Sequence, residues 1–278
     1  MTAATEHFER LDAVPATELQ VRGVTMRFGG VVALDDVTFD ARANQVLGIM
    51  GPNGAGKTTL FNVISGVARP TAGRVELDGC ALTGRTLSEV AAFGVTRTFQ
   101  TPVMFWGLTA RDSVAAALAA REFRGTYPPR PDRGLLACGL GLGSRARADA
   151  ALRAHAGAVL EQAGIAYLGD RPTESLAFGE ERLLELARAL AIAPKVLLLD
   201  EPLSGLNPDE IERVLQSIRS ARAAGIAVLV VEHAVSELLA VADRVVVLDH
   251  GRTIAHGTPA EVASDPAVID AYIGDELS

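Results

Sequence analysis

The sequence predicts an α/β protein with a core of parallel strands, an antiparallel β region ahead of it and a mostly helical insertion. Three observations carry this expectation. Short apolar runs at Val46–Met50, Val196–Leu199, Ile226–Val231 and Val245–Leu248 have the look of strands buried on both faces, and after Val196 they alternate with helix-compatible stretches. A glycine-rich stretch, Gly51-Pro52-Asn53-Gly54-Ala55-Gly56-Lys57-Thr58, joins the first run to a helix-compatible Thr59–Ile64. Leu108–Arg124 and Arg145–Ala163 are alanine-rich and helix-favouring, and Gly125-Thr126-Tyr127-Pro128-Pro129-Arg130-Pro131 and further glycines separate them.

In chain order, residues 1–17 are polar and acidic, lack the apolar centre of a signal peptide and read as a disordered lead-in. From Leu19 to Phe39 the residues tend to alternate, with Gly29-Gly30 as a break, which predicts paired antiparallel strands. Phe28 closes the first of them. A strand phenylalanine is ordinarily core, but one placed ahead of the glycine-rich loop can also stack on a purine ring. Thr59–Val67 is the helix after the loop, Arg74–Gly79 is a strand ending in a turn, and this first unit closes near Val95. Beyond the insertion, Leu183–Ala193 is a helix that Pro194 ends. The run to Leu199 then finishes on Asp200-Glu201. Glu210–Ala223 and Val235–Ala242 are helices, and Asp249-His250-Gly251 turns the chain into a strand at Thr253–His256. No internal repeat is evident.

With 278 residues, 49% of them hydrophobic, the chain can bury a sizeable core without staples. Cys80 and Cys138 describe neither a disulfide framework nor a zinc site. The 34 acidic residues outnumber the 26 basic ones, and a net charge of -8 opposes non-specific attraction to nucleic acid or anionic lipid. The nearest approach to an apolar span, Gly134–Gly143, falls short of the ~20 residues that cross a bilayer. Membrane association is therefore expected through a partner.

The glycine-rich loop carries the first chemical argument. A buried strand, a turn whose N–H groups converge and a helix N-terminus together bind a phosphate, and Gly51 to Thr59 form that cradle. Lys57 is placed to reach β- and γ-phosphates, and the Thr58 hydroxyl to ligate the Mg²⁺ that bridges them. The expected ligand is a nucleoside triphosphate with magnesium. Asp200 and Glu201 carry the second argument, because two carboxylates after a buried run lie where such a strand opens on a site. Asp200 is expected to hold Mg²⁺, directly or through water, and Glu201 to orient and polarise the attacking water.

Taken together, Phe28, the Gly51–Thr58 loop, Gln100, Leu176-Ala177-Phe178-Gly179-Glu180, Asp200-Glu201, Ser204-Gly205-Leu206-Asn207 and His233 make the chain resemble the ATP-binding subunit of an ATP-binding cassette (ABC) transporter. The resemblance runs from about Leu19 to the C-terminus. It implies a P-loop NTPase (RecA-like) core at 18–99 and 190–258, with an antiparallel β subdomain, an inserted α-helical subdomain at 100–189 and a tail at 259–278. It further implies that Gln100 senses Mg²⁺ and the γ-phosphate, that His233 contacts the γ-phosphate and that Phe28 stacks on adenine. The family signature is commonly Leu-Ser-Gly-Gly-Gln, whose serine hydroxyl and glycine amides bind the γ-phosphate held by a second ATPase subunit. Ala177 removes that hydroxyl, Glu180 brings a carboxylate, and the Gly179 amide remains. Two unequal nucleotide sites would follow. Asn207 stands where aspartate is common.

Met26–Gly30, Arg97–Gln100, Ser204–Pro208 and the ending Asp265–Gly274 narrow the resemblance to ATPases of branched-chain amino acid importers. That family implies ATP and Mg²⁺, a second ATPase subunit that is a copy or a different chain, transmembrane permeases, indirectly a substrate-binding protein, and a place at the cytoplasmic face of the cell membrane. Nucleic acid is not an expected partner. A soluble ABC-type ATPase acting on ribosomes or DNA is the alternative class, and an exporter or lipopolysaccharide-transport ATPase is a third. Phe105 and Trp106 are either aromatics that dock a permease or packing between the insertion and the core.

Overall fold

The apolar runs become central strands because they have no polar face to show to water. In the computed structural model, which describes residues 17–98, 105–122 and 142–276, β1 (Glu18–Phe28), β2 (Val31–Arg42), β4 (Ala72–Leu77) and β5 (Cys80–Ala81) form an antiparallel sheet of order β2-β1-β4-β5. A second sheet has the order β10-β9-β3-β8-β7-β6, built from β3 (Val46–Met50), β6 (Val95–Arg97), β7 (Val196–Asp200), β8 (Ala227–Val231), β9 (Arg244–Asp249) and β10 (Arg252–Gly257). Its neighbours are parallel except at β10, which returns antiparallel to β9. Every residue of β3, β7 and β8 is buried, as expected of parallel strands covered on both faces.

One hydrophobic core joins the two sheets. Leu19, Val21 and Phe39 from the antiparallel sheet meet Leu47, Leu198 and Leu229 from the parallel one, with Leu60, Phe61 and Ile64 of helix α1 (Lys57–Ile64) completing the layer. Full burial of a leucine or phenylalanine side chain stabilises the fold by ~1.5–3 kcal/mol, so this layer anchors the loop that precedes α1. On the opposite face of β3, Gly48 lies against Leu238 of a later helix. A side chain at that position would need Leu238 to give way.

Two compact units divide the chain. Both sheets belong to one, which takes in residues 17–98, Pro194–Ser204 and those from 215 onward, including α2 (Leu87–Phe93). The described residues from 105 to 193, with Gly205–Val214, form the other. There α3 (Ala110–Glu122) packs on α4 (Leu142–Gln162) and α5 (Phe178–Ala191), burying Val114, Leu118, Leu160, Leu183 and Leu184. After β7 come α6 (Pro208–Ala223), α7 (Val235–Val241), α8 (Pro259–Ala263) and α9 (Pro266–Glu276).

Several boundaries differ from the sequence expectation for physical reasons. The segment near Val95 does not simply close a unit, because Val95–Arg97 is an edge strand paired to Val196–Leu198. Helix α1 starts at Lys57 and ends at Ile64, where the Ser65 hydroxyl bonds the Phe61 carbonyl at 2.7 Å and Gly66 turns left-handed at φ 76°. Thr17, read as lead-in, is buried, and its carbonyl accepts the Ala43 N–H at 2.8 Å. Residues 1–16, Gln100, the Gly125–Pro131 linker, Cys138 and most of Gly134–Gly143 lie outside the described residues. Among those described, no helix is long and apolar enough to cross a membrane.

Candidate functional site

Parallel pairing brings one end of several strands together. Ile49 pairs with Val231, Asp200 pairs with Val231 as well, and Met50 pairs with Val247, so the carboxyl ends of β3, β8, β7 and β9 share an edge of the sheet. The glycine-rich loop, Glu232-His233 and Asp200-Glu201 all leave the sheet there.

The loop's shape requires glycine at two positions above all. Gly51 has φ 146°, and a Cβ on it would collide with the Leu248 carbonyl. Gly56 has φ 104°, and a Cβ there would strike the Ala33 carbonyl. Gly56 is also the N-cap of α1 and offers no side-chain cap, while the first turn holds no acidic residue. The first N–H groups of α1 therefore present a partial positive charge with no internal anion against it. Lys57 is buried and donates through Nζ to the carbonyls of Gly51 at 2.6 Å and Pro52 at 2.9 Å, bracing the loop from within. Asn53, Gly54 and Thr58 are exposed, Pro52 and Thr59 partly so, and Ala55 is buried.

Asp200, 1% exposed, ends β7. Its Oδ2 accepts from Arg97 at 2.7 Å, and Arg97 also donates to Asn62 Oδ1 at 2.7 Å and to Ser65 Oγ at 3.2 Å. Its Oδ1 is buried with no hydrogen-bond partner among the described residues. A buried carboxylate oxygen left without a donor is costly unless a cation takes it, and magnesium is a hard cation that binds through one or two carboxylates together with substrate phosphates. The open Asp200 oxygen fits such an ion, and the exposed Thr58 at the start of α1 is a residue type that can join it.

Glu201 follows in the left-handed region at φ 51°, a conformation that costs a side-chain-bearing residue ~1–2 kcal/mol. Its N–H donates to the Val231 carbonyl at 2.9 Å, and its Oε1 lies 3.1 Å from Nε2 of His233. A carboxylate and an imidazole thus stand together where the strands end, and either can take or orient a proton.

The comparisons with known proteins agree with this geometry. The family described as "ABC transporter" matches residues 34–204, and that described as "Branched-chain amino acid ATP-binding cassette transporter" matches residues 252–277. The high-affinity branched-chain amino acid transport ATP-binding protein BraF of Pseudomonas aeruginosa is 35% identical over 264 residues, covering 92% of this chain and 98% of that protein. The chain belongs to the ABC transporter family. LivG of Escherichia coli, another high-affinity branched-chain amino acid transport ATP-binding protein, is 34% identical over 258 residues, covering 92% and 98%. The ADP conformation of MJ1267, an ATP-binding cassette of an ABC transporter, superposes with a TM-score of 0.74 at 29% identity, covering 93% of this chain and 99% of that one. ABC membership makes the chain an ATP-binding cassette and an ATPase.

Within this cassette Phe28 is 53% exposed, so the core alternative for it does not hold. The signature lies in the helical unit. Ala177 is the N-cap of α5 and contributes no side-chain bond, whereas Glu180 accepts the Ala177 N–H at 2.9 Å and is paired with Arg171 at 2.7 Å. The Glu180 carboxylate is thereby neutralised in place. A Cβ on Gly179 would displace the carboxylate of Glu210, which exchanges bonds of 3.0 Å with Asn207 in a reciprocal cap of α6. Phe178, beneath the guanidinium of Arg182 at 5.3 Å, also packs against the position of Gly205. Trp106 is 78% exposed, and Phe105 carries Arg188 over its ring at 4.8 Å.

Three residues of the site escaped the sequence reading as functional groups. Arg97 grips Asp200 from a strand distant in sequence. Tyr272 of α9 accepts the Gly51 N–H on its hydroxyl at 2.9 Å, tying the tail to the phosphate loop. Glu232 is buried beside His233, and burial pushes its carboxyl above the usual range although backbone N–H groups of Leu203, His233 and Ala234 pull the other way. Its signal in the sequence was the same as that of Asp200, an acid directly after a buried apolar run.

Proposed function

We propose that this chain is the ATP-hydrolysing subunit of a membrane importer for branched-chain amino acids or related amino acids and amides. The observation that carries the hydrolytic part is the convergence of the phosphate loop, Asp200, Glu201 and His233 at one edge of the parallel sheet. The importer part rests on the C-terminal segment, where the branched-chain family match covers Tyr272 and that residue bonds the loop.

In this reading the loop amides and Lys57 bind the phosphates of ATP, and Phe28 stacks on the adenine. Thr58 and Asp200 would hold Mg²⁺, which when bound would supply charge neutralisation to the phosphates. Glu201 orients the attacking water and receives its proton. His233 contacts the γ-phosphate from its place beside Glu201, where its Nε2 lies 3.1 Å from the Glu201 Oε1. Gln100 couples the loop region to the helical unit. Ala177, Gly179 and Glu180 face the nucleotide of a second ATPase subunit through the backbone amides at the start of α5.

The partners are a second ATPase, transmembrane permeases and, through them, a substrate-binding protein, at the cytoplasmic face of the membrane. Trp106 and Phe105 are the aromatic contacts offered to a permease. A pull-down of tagged Glu201→Gln chain from detergent-solubilised membranes with ATP present, read by mass spectrometry, tests this. Recovery of permeases with an ATPase partner is expected. Recovery of ribosomal or DNA-repair proteins with no integral membrane protein would overturn the importer reading.

A further inference from the structure

Glu232 is a buried carboxylate for which the hydrolytic scheme has no role. It is 3% exposed at the end of β8, next to the strand that ends in Asp200. Its Oε1 accepts the Leu203 N–H at 2.6 Å and its Oε2 accepts the His233 N–H at 3.1 Å. Leu203 lies two residues after Glu201, in a turn that the Ser204 N–H closes onto the Glu201 carbonyl at 3.3 Å. One carboxylate therefore holds two backbone segments at once, the one that carries Glu201 and the one that carries His233.

An apolar residue would leave the buried Leu203 amide and the partly buried His233 amide unpaired here, and a single-oxygen acceptor would satisfy only part of the set. The arrangement also bears a cost that packing alone would not select. Glu232 sits near the Glu201 carboxylate, and the two repel. Glu201 itself is held in the left-handed region, a strained setting that persists only when neighbouring bonds over-determine it. The bonds from Glu232 to Leu203 and His233 provide that constraint.

We propose that Glu232 is a positioning residue for hydrolysis, which fixes Glu201 and His233 at their 3.1 Å separation by clamping the backbone of both. The proposal rests on the assignment of Glu201 and His233 to hydrolysis. Glu232 touches neither nucleotide nor water in this scheme. Its removal should lower the rate of the chemical step and leave nucleotide binding to the loop intact.

The test compares Glu232→Gln, Glu232→Asp, His233→Ala and the Glu232→Gln/His233→Ala pair by ATP turnover, by equilibrium binding of ATP and by amide exchange. For Glu232→Gln the expectation is a kcat lowered ~10-fold or more with KM and ATP affinity within ~3-fold, since a group acting only on the transition state shows that split. The Leu203 and His233 amides should exchange ~10-fold faster or more, and Glu232→Asp, which keeps two oxygens, should recover part of both losses. In the His233→Ala background Glu232→Gln should cost less than it does in the parent chain, with the share that acts through Leu203 on Glu201 remaining, because residues acting through one another are not additive. An unchanged kcat, unchanged exchange at Leu203, or full additivity with His233→Ala overturns the proposal. Should Glu232→Gln not fold, Glu232→Asp decides alone, with a lowered kcat at unchanged KM required. Glu201→Gln separates the two levels: retained turnover in it removes the hydrolytic reading, whereas its loss beside a fully active Glu232→Gln removes only the positioning role.

Discussion

Arg97 and Asp200 are 5% and 1% exposed at the side chain, which makes their pairing a structural necessity. Arg97→Met leaves the Asp200 charge buried without compensation, and breaking such a pair from one side costs ~3–5 kcal/mol. A urea titration should show that loss as a lowered midpoint at an unchanged slope, and an unshifted midpoint would contradict the pairing described. Tyr272→Phe removes a single neutral acceptor from Gly51, so the fold should lose ~1 kcal/mol, seen as a lowered thermal midpoint. An equal midpoint would show that the tail does not support the loop. The loop glycines, Lys57 and Asp200 were legible because their meaning is local, a turn no Cβ can enter and an acid ending an apolar run. Arg97 was not, since its partner is 103 positions away and only strand order brings them together. Glu232 carried the legible signal of an acid after a buried run, yet it was hidden beside a histidine that drew the functional reading. Gln100 falls outside the described residues, so its role stays with the proposal.

At the scale of elements, helix α5 shows a cap only half made. Glu180 already bonds the Ala177 N–H, and the return bond to the helix lacks only an oxygen at residue 177. Ala177→Ser should supply it and stabilise the chain by ~1 kcal/mol, seen as a higher thermal midpoint without nucleotide. A lower or equal midpoint would mean that the start of α5 is not shaped for a capping box. This missing signal also explains why the sequence placed the helix start at Leu183 and not at Phe178, because neither Ala177 nor Gly179 marks an N-terminus. Asn207 raises no such difficulty. Asparagine caps a helix about as well as aspartate, and here it pairs with Glu210 at the start of α6. If ATP-driven dimerisation and turnover are equal in Ala177→Ser and the parent chain, the idea of two unequal sites loses its basis.

For the whole molecule, function follows from the strand order. The segments that carry the phosphate loop, the histidine and the two carboxylates are scattered between residues 46 and 233, but β3, β8 and β7 are consecutive in the sheet and point the same way. The apolar runs made the strands legible, and their parallel character followed from the intervening helices. Their order did not, because a buried run of Val, Leu and Ile pairs equally well with any other, and the edge strand Val95–Arg97 was too short and too polar to read at all. The central claim is that hydrolysis takes place at this common edge with Glu201 acting on water. ATP turnover of Glu201→Gln, measured beside its equilibrium ATP binding, tests it most directly. A fall in turnover of ~100-fold or more with affinity held within ~3-fold is the predicted result, as for a group that acts in the transition state alone. Turnover that survives the substitution would contradict it and place the chemistry elsewhere.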